Sequence, residues 1–136
     1  MKIRAHISLL TACATCIMLF SCNLDQNSSS NDYLIRVDSI HAPDTVVSNT
    51  AFNVVFFGTI GFDECASFKT FNRTDNGYDI GIEAWGTYNS TPAVCPPALV
   101  TLNGQKLSLT FPFPGVYRIS ILDPGAVTLV KQIVAK

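Results

Sequence analysis

Five cysteines, two histidines and a thin scatter of carboxylates are the residues of this 136-residue chain that could do nucleophilic, redox or metal chemistry. Cys13 and Cys16 form a C-x-x-C, a spacing that in a cytosolic fold points to dithiol chemistry or a metal. Both lie within the uncharged apolar run from Ile7 to Phe20, where neither use makes sense. A hydrolytic triad needs a base held against its nucleophile, usually a histidine. Beyond the apolar run the only histidine is His41, close to Pro43 at a strand end, and it reads as a surface turn residue. Zinc would want several Cys and His ligands at short spacing, and no such cluster is present. Gly-rich phosphate-cradling loops are also missing.

Carboxylates offer little more. The stretch "TDNGYD" brings together Asp75, Asn76 and Asp79 but lacks the spaced ligands and terminal glutamate of an EF-hand loop. Asp75 to Gly77 reads as turn chemistry instead, and Asp63-Glu64 as a solvated loop. A glycosidase pair could be drawn from Glu83 and an aspartate, but nothing in the sequence sets their separation. The sequence therefore predicts no catalytic residue, no metal site and no cofactor, and the expected protein is not an enzyme.

Lys2 and Arg4, the apolar run and the small polar residues after it have the layout of a bacterial secretory signal. At about 14 residues the run is shorter than the roughly 20 of a membrane-spanning helix. It ends in Leu19-Phe20-Ser21-Cys22, which resembles the lipobox of bacterial lipoproteins, with Phe20 where a smaller residue is usual. The resemblance implies cleavage before Cys22, diacylglycerol on its sulfur and an acyl chain, palmitate for example, on its new amino group. Each buried methylene contributes about 0.8 kcal/mol, so several such chains anchor stably where one would be marginal. The alternative is an ordinary signal peptide with a chance cysteine near its cleavage site.

Residues 1–21 are thus expected to be the lipoprotein signal peptide, 22–32 the acylated cysteine and a flexible polar tether, and 33–136 the folded domain. The tether, "NLDQNSSSND" after Cys22, has no aromatic or branched-chain content to pack beyond Leu24. Its r.m.s. reach is roughly 17 Å, so whatever the domain binds must come to the membrane or be mounted on it. Without Lys2 and Arg4, seven basic side chains face ten acidic ones. That balance gives no footprint for nucleic acid, whose binding rests on clustered Lys and Arg. With Cys22 acylated, Cys65 and Cys95 form an even pair in an oxidising compartment, where a disulfide is expected and two buried free thiols are the alternative.

From Tyr33 onward the apolar pattern has period two, broken at short intervals by Pro, Gly and Asn, the signature of an all-β domain. Strands are expected over residues 33–40, 52–59, 65–72, 78–88, 98–102, 105–111, 116–122 and 127–134. Turns fall at Asp75-Asn76-Gly77, Asn103-Gly104 and Asp123-Pro124-Gly125, the first two suited to type I′ hairpins. Tyr78, Ile80, Ile82 and Ala84 should point inward and Asp79, Glu83 and Trp85 outward. The same alternation turns Leu107, Leu109, Phe111, Tyr117, Ile119 and Ile121 inward. "FNVVFFG" is apolar at nearly every position, as a central strand would be, and its faces stay unassigned.

Seven or eight such strands argue for a two-sheet antiparallel sandwich. "HAPDTVVSNTAFNVVF" and "FPFPGVYRISIL" resemble segments of the immunoglobulin-like modules of bacterial envelope proteins. The second piece is similar to their Pro-Gly-x-Tyr approach to a late strand, which implies that Tyr117 packs at a sandwich corner. No Cys-Trp-Cys arrangement of antibody type is present.

Candidate binding residues are Trp85 and Tyr88, a pair of aromatics suited to stacking, with Glu83 and Asn89 as polar contacts. Aromatic surface beside amide and carboxylate groups suits sugars and protein partners equally. Alternatively, Trp85 is covered by a neighbouring strand or loop. Two functions follow. One is a non-enzymatic, lipid-anchored module of the cell envelope that recruits or assembles with an envelope protein, on the outer membrane or cell surface rather than the inner membrane. The other is an accessory carbohydrate-binding lipoprotein.

Overall fold

The computed structural model describes residues 29–90, 94–124 and 126–136, so the leader, Cys22 and the first part of the tether lie outside the described residues. Among the described residues there are nine strands and no helix. They are β1 (Ser29–Leu34), β2 (Arg36–His41), β3 (Thr45–Val46), β4 (Ala51–Asp63), β5 (Ala66–Asn76), β6 (Asp79–Ser90), β7 (Pro97–Thr110), β8 (Gly115–Asp123) and β9 (Ala126–Ala135).

Two sheets share them. The larger runs β5, β6, β8, β9, β3, and β1 lies on the same edge of β6 as β8, pairing with residues 85–90 where β8 pairs with 79–82. The smaller is β2-β4-β7, with β4 in its centre. Pairing is mostly antiparallel, but β6 with β8 and β3 with β9 are parallel, which departs from the expected antiparallel arrangement.

Alternation along the strands builds the core between the sheets. Ile80, Ile82 and Ala84 of β6 and Tyr117, Ile119 and Ile121 of β8 are buried from one side. Val54 and Phe56 of β4 and Leu102 and Leu109 of β7 are buried from the other. Rings bridge the layers, with Phe56 of β4 lying 4.4 Å from Phe71 of β5. Val54 and Phe56 are thus the inward positions of the "FNVVFFG" stretch, while Leu107, expected inward, is only half-buried.

Tyr117 stacks flat on Phe111, ring centroids 3.8 Å apart, at the end where the chain passes from β7 to β8. Its hydroxyl donates to the Phe113 carbonyl at 3.1 Å and accepts the Phe113 N–H at 3.4 Å.

Several expectations are corrected. Asn103-Gly104 is not a hairpin turn: β7 runs straight through it, and Gly104, with φ of 80°, is the extra residue of a bulge between Gln105 and Asn103 opposite Phe56 and Phe57. The same tolerance of positive φ that makes a turn also makes a bulge, and the long partner β4 keeps the strand going. In the β5–β6 hairpin the two loop residues are Gly77 and Tyr78, and positive φ falls on Gly77 rather than Asn76. Glycine first in the loop is the type II′ pattern, not I′. Tyr78 therefore precedes the strand and is exposed, contrary to its expected inward place.

The expected tether is also shorter, because Ser29 to Asp32 belong to β1 and pair with β6. The first predicted strand is in fact two. β1 leaves the large sheet at Ile35, whose N–H donates to the Ala84 carbonyl at 2.8 Å, and β2 joins the small one. Asp123, buried at 8% exposure, accepts the Val37 N–H at 3.3 Å beside this crossing.

Register shifts leave Asp38 in β2 and Lys69 in β5 out of the ladder, as Gly104 is in β7. Each interrupts a strand at a sheet edge, where bulges and charges discourage pairing with a further chain.

Candidate functional site

Trp85 lies where the alternation put it, on the outward face of the large sheet, and is half-buried. The covering comes from its strand neighbours. Asp32 of β1, Lys69, Thr70 and Asn72 of β5 and Trp85 of β6 line a groove of about 360 Å³. Thr70 is directly opposite Trp85 in the β5–β6 register, Asn72 is opposite Glu83, and Asp32 is opposite Thr87.

Polar contacts hold the groove in place. The indole Nε1 of Trp85 donates to Glu83 Oε2 at 2.9 Å, two positions along the same face. Lys69, displaced by its bulge, donates to Asp32 across the groove. This hydrogen bond, with a smaller one from Thr87, holds the Asp32 carboxyl below its ordinary range. Ser30 and Thr87 hydroxyls meet at 2.9 Å beside it. The groove thus offers one aromatic surface, an ammonium, a carboxylate, a hydroxyl and an amide, with the Glu83 carboxylate bonded to the indole, groups that stack and hydrogen-bond.

Tyr88 does not share this face. One position beyond Thr87, it turns to the core side and packs against the buried cluster. Its hydroxyl donates to Asp63 Oδ2 at 3.2 Å and lies 3.6 Å from Cys95 Sγ. That bond to the carboxylate raises the tyrosine's pKa above its usual value, with burial adding to the effect. The expected Trp85–Tyr88 stacking pair is therefore split between two surfaces. Asn89 is exposed on the Trp85 side but pairs with Ser30 inside β6, rather than beginning a loop.

Cys65 and Cys95 form a disulfide with Cα atoms 5.5 Å apart, closing 30 residues. Asp63 lies against it and accepts the Cys65 N–H at 3.0 Å. Asp63, Cys65 and Cys95 could be mistaken for a metal cluster, but sulfurs joined to each other are not thiolate ligands. Asp75 and Asp79, the other cation candidates, each face an arginine: Arg73 Nε to Asp75 at 2.5 Å and Arg118 Nε to Asp79 at 2.6 Å.

Asp32, Lys69, Thr70 and Asn72 are groove residues that the sequence did not single out. From sequence Asp32 reads as part of the polar tether. Asn72 was legible as a polar position in a strand, but nothing indicated that β5 would lie beside Trp85. The chain matches no family model, no curated protein and no solved structure.

Proposed function

We propose that this chain is a non-enzymatic, lipid-anchored binding module of the bacterial cell envelope, an immunoglobulin-like sandwich moored through Cys22 and presenting its large-sheet face to a partner. It stands on the outer membrane or cell surface. The observation that carries the binding reading is the groove beside Trp85, where a half-exposed indole is framed by Asp32, Lys69 and Asn72. Indole surfaces at the centre of such patches dominate recognition energetics. The immunoglobulin-like reading draws support from the Tyr117 hydroxyl bonded four residues back to Phe113, the arrangement of a tyrosine corner. It also draws on the division of the strands into two sheets, the smaller made of β2, β4 and β7. The parallel β6–β8 pair is a departure from that family's pattern.

A second reading, an accessory carbohydrate binder, is favoured by the same indole lying beside an amide and carboxylates. It is weakened by Tyr88 turning away, which leaves one ring instead of two. Cross-linking in intact cells followed by detergent extraction should recover an envelope protein with the wild-type chain and at least tenfold less with W85A, a loss of about 1.4 kcal/mol or more. Equal recovery would refute the groove as the binding face. Saturable binding of a purified polysaccharide, lost in W85A, would move the reading to the carbohydrate alternative.

A further inference from the structure

We propose that the end of the sandwich bearing Phe62, Val94 and Leu99 is a bilayer-contact surface, seated on phosphatidylethanolamine-rich lipid beside the anchor. The inference rests on the reading of Cys22 as the acylated residue.

The three side chains are 79%, 89% and 66% exposed, values at odds with their hydrophobicity. Register brings them to one end. Asp63 is opposite Pro97 and Gly61 opposite Val100, which sets Phe62 beside Leu99, and the Glu64 N–H donates to the Pro96 carbonyl just beyond Val94. The chain enters the fold at this same end. Ser29 pairs with Ser90, and the neighbouring Asn89 N–H donates to the Cys65 carbonyl.

Six residues separate Cys22 from Ser29. The seven steps between them span at most about 25 Å. A strand the length of β6 is roughly 40 Å long, so the leash is shorter than the body it holds. The Phe62 end cannot leave the neighbourhood of the lipid, whereas Tyr78 and Phe113, at the far end, can stand clear of it. Exposed apolar patches mark membrane or partner surfaces, and a patch held this close needs little affinity of its own.

Charge rules against an anionic headgroup and is compatible with a zwitterionic one. Glu64 is exposed beside the patch, and Lys69, the nearest cation along β5, is committed to Asp32. Among the described residues this end has no basic cluster for anionic lipid, and the exposed Glu64 is compatible with the zwitterionic headgroup of phosphatidylethanolamine. The contact should therefore be apolar and insensitive to salt.

The test uses the full-length protein purified from the membranes in which it is made and reconstituted in phosphatidylethanolamine vesicles with a minority of phosphatidylglycerol. Trp85 is the only tryptophan, so W85F silences the background and F62W or L99W reports from exposed positions. With acyl-chain-brominated lipid, both reporters should lose roughly half their emission, as expected for residues about 5–10 Å into the headgroup–acyl boundary. F113W should be unquenched, and none of the three should change with added salt.

Quenching of F62W and L99W no greater than that of F113W, on protein whose Cys22 carries its acyl mass, would overturn the contact surface and leave the anchor standing. Absence of the acyl mass would overturn both.

Discussion

The Tyr117 hydroxyl both donates to and accepts from the backbone of Phe113, four residues upstream, while its ring lies parallel to Phe111 within 3°. One side chain thus fixes the passage from the small sheet to the large one. Y117F keeps the ring stack and deletes both hydrogen bonds, leaving two half-buried backbone groups to find water. The expected loss is about 1–2 kcal/mol. A denaturation midpoint equal to wild type would show that the corner adds nothing to stability.

Cys65–Cys95 ties the start of β5 to the approach to β7. On the chain-entropy account, closing that loop stabilises the fold by about 3.6 kcal/mol. Reduction, or the C65A/C95A double change, should lower the guanidinium midpoint accordingly, and it should free the Tyr88 hydroxyl from its sulfur neighbour. An unchanged midpoint after reduction would contradict this.

Alkaline pH should expose two tyrosines. Tyr88 is held neutral chiefly by its bond to Asp63, and Tyr33 chiefly by burial, its hydroxyl donating to the Ile60 carbonyl at 2.8 Å. Both pKa values are raised above the unfolded value of about 10. Their stabilisation is therefore complete below that pH and is lost as pH rises through the folded values. Phenolate absorbance followed with pH should show late-titrating tyrosines, and Y33F and Y88F should each remove one.

Asp32 and Asp44 behave in the opposite sense. Hydrogen bonds from Lys69 and Lys131 lower their pKa values. What they contribute is present above the unfolded carboxylate pKa and is lost as pH falls through the folded one. Both pairs are exposed, so K69M and K131M should lower stability only slightly across the neutral range, and the difference from wild type should vanish as pH falls through the folded carboxylate pKa values.

Two glycines in similar strand settings should respond differently. A Cβ at Gly58 would meet the Arg36 carbonyl at 2.4 Å, where β2 and β4 pair, and backbone cannot swing aside. At Gly81 the nearest atom is Leu122 Cδ1 at 3.4 Å. G58A should cost about 1–3 kcal/mol, and G81A should be tolerated. Equal midpoints would mean that the β2–β4 crossing relaxes more easily than its geometry implies.

Much of this architecture was legible from alternation alone, because Ile80 to Ala84 and Tyr117 to Ile121 must hide one face whichever strands they meet. The disulfide followed from cysteine parity. Other features depend on partners that sequence does not name. Ser29 to Asp32 are polar, yet they form a strand because β6 offers them an open edge; backbone bonds and the Ser29–Ser90 and Ser30–Thr87 hydroxyl contacts hold them, with no apolar signal. Asn103-Gly104 reads as a turn until a 13-residue β4 is known to run alongside it. Trp85 was found by parity, but its groove was not, since Asp32 and Lys69 reach it from strands 53 and 16 residues away in sequence.

Anchoring at the envelope requires Cys22 to be the lipid-bearing first residue of the mature chain. Mass spectrometry of the amino-terminal peptide from membrane-purified protein tests this directly. The predicted result is a peptide beginning at Cys22 with diacylglyceryl and N-acyl mass added. A free thiol at that position, or a chain beginning anywhere else, would contradict it.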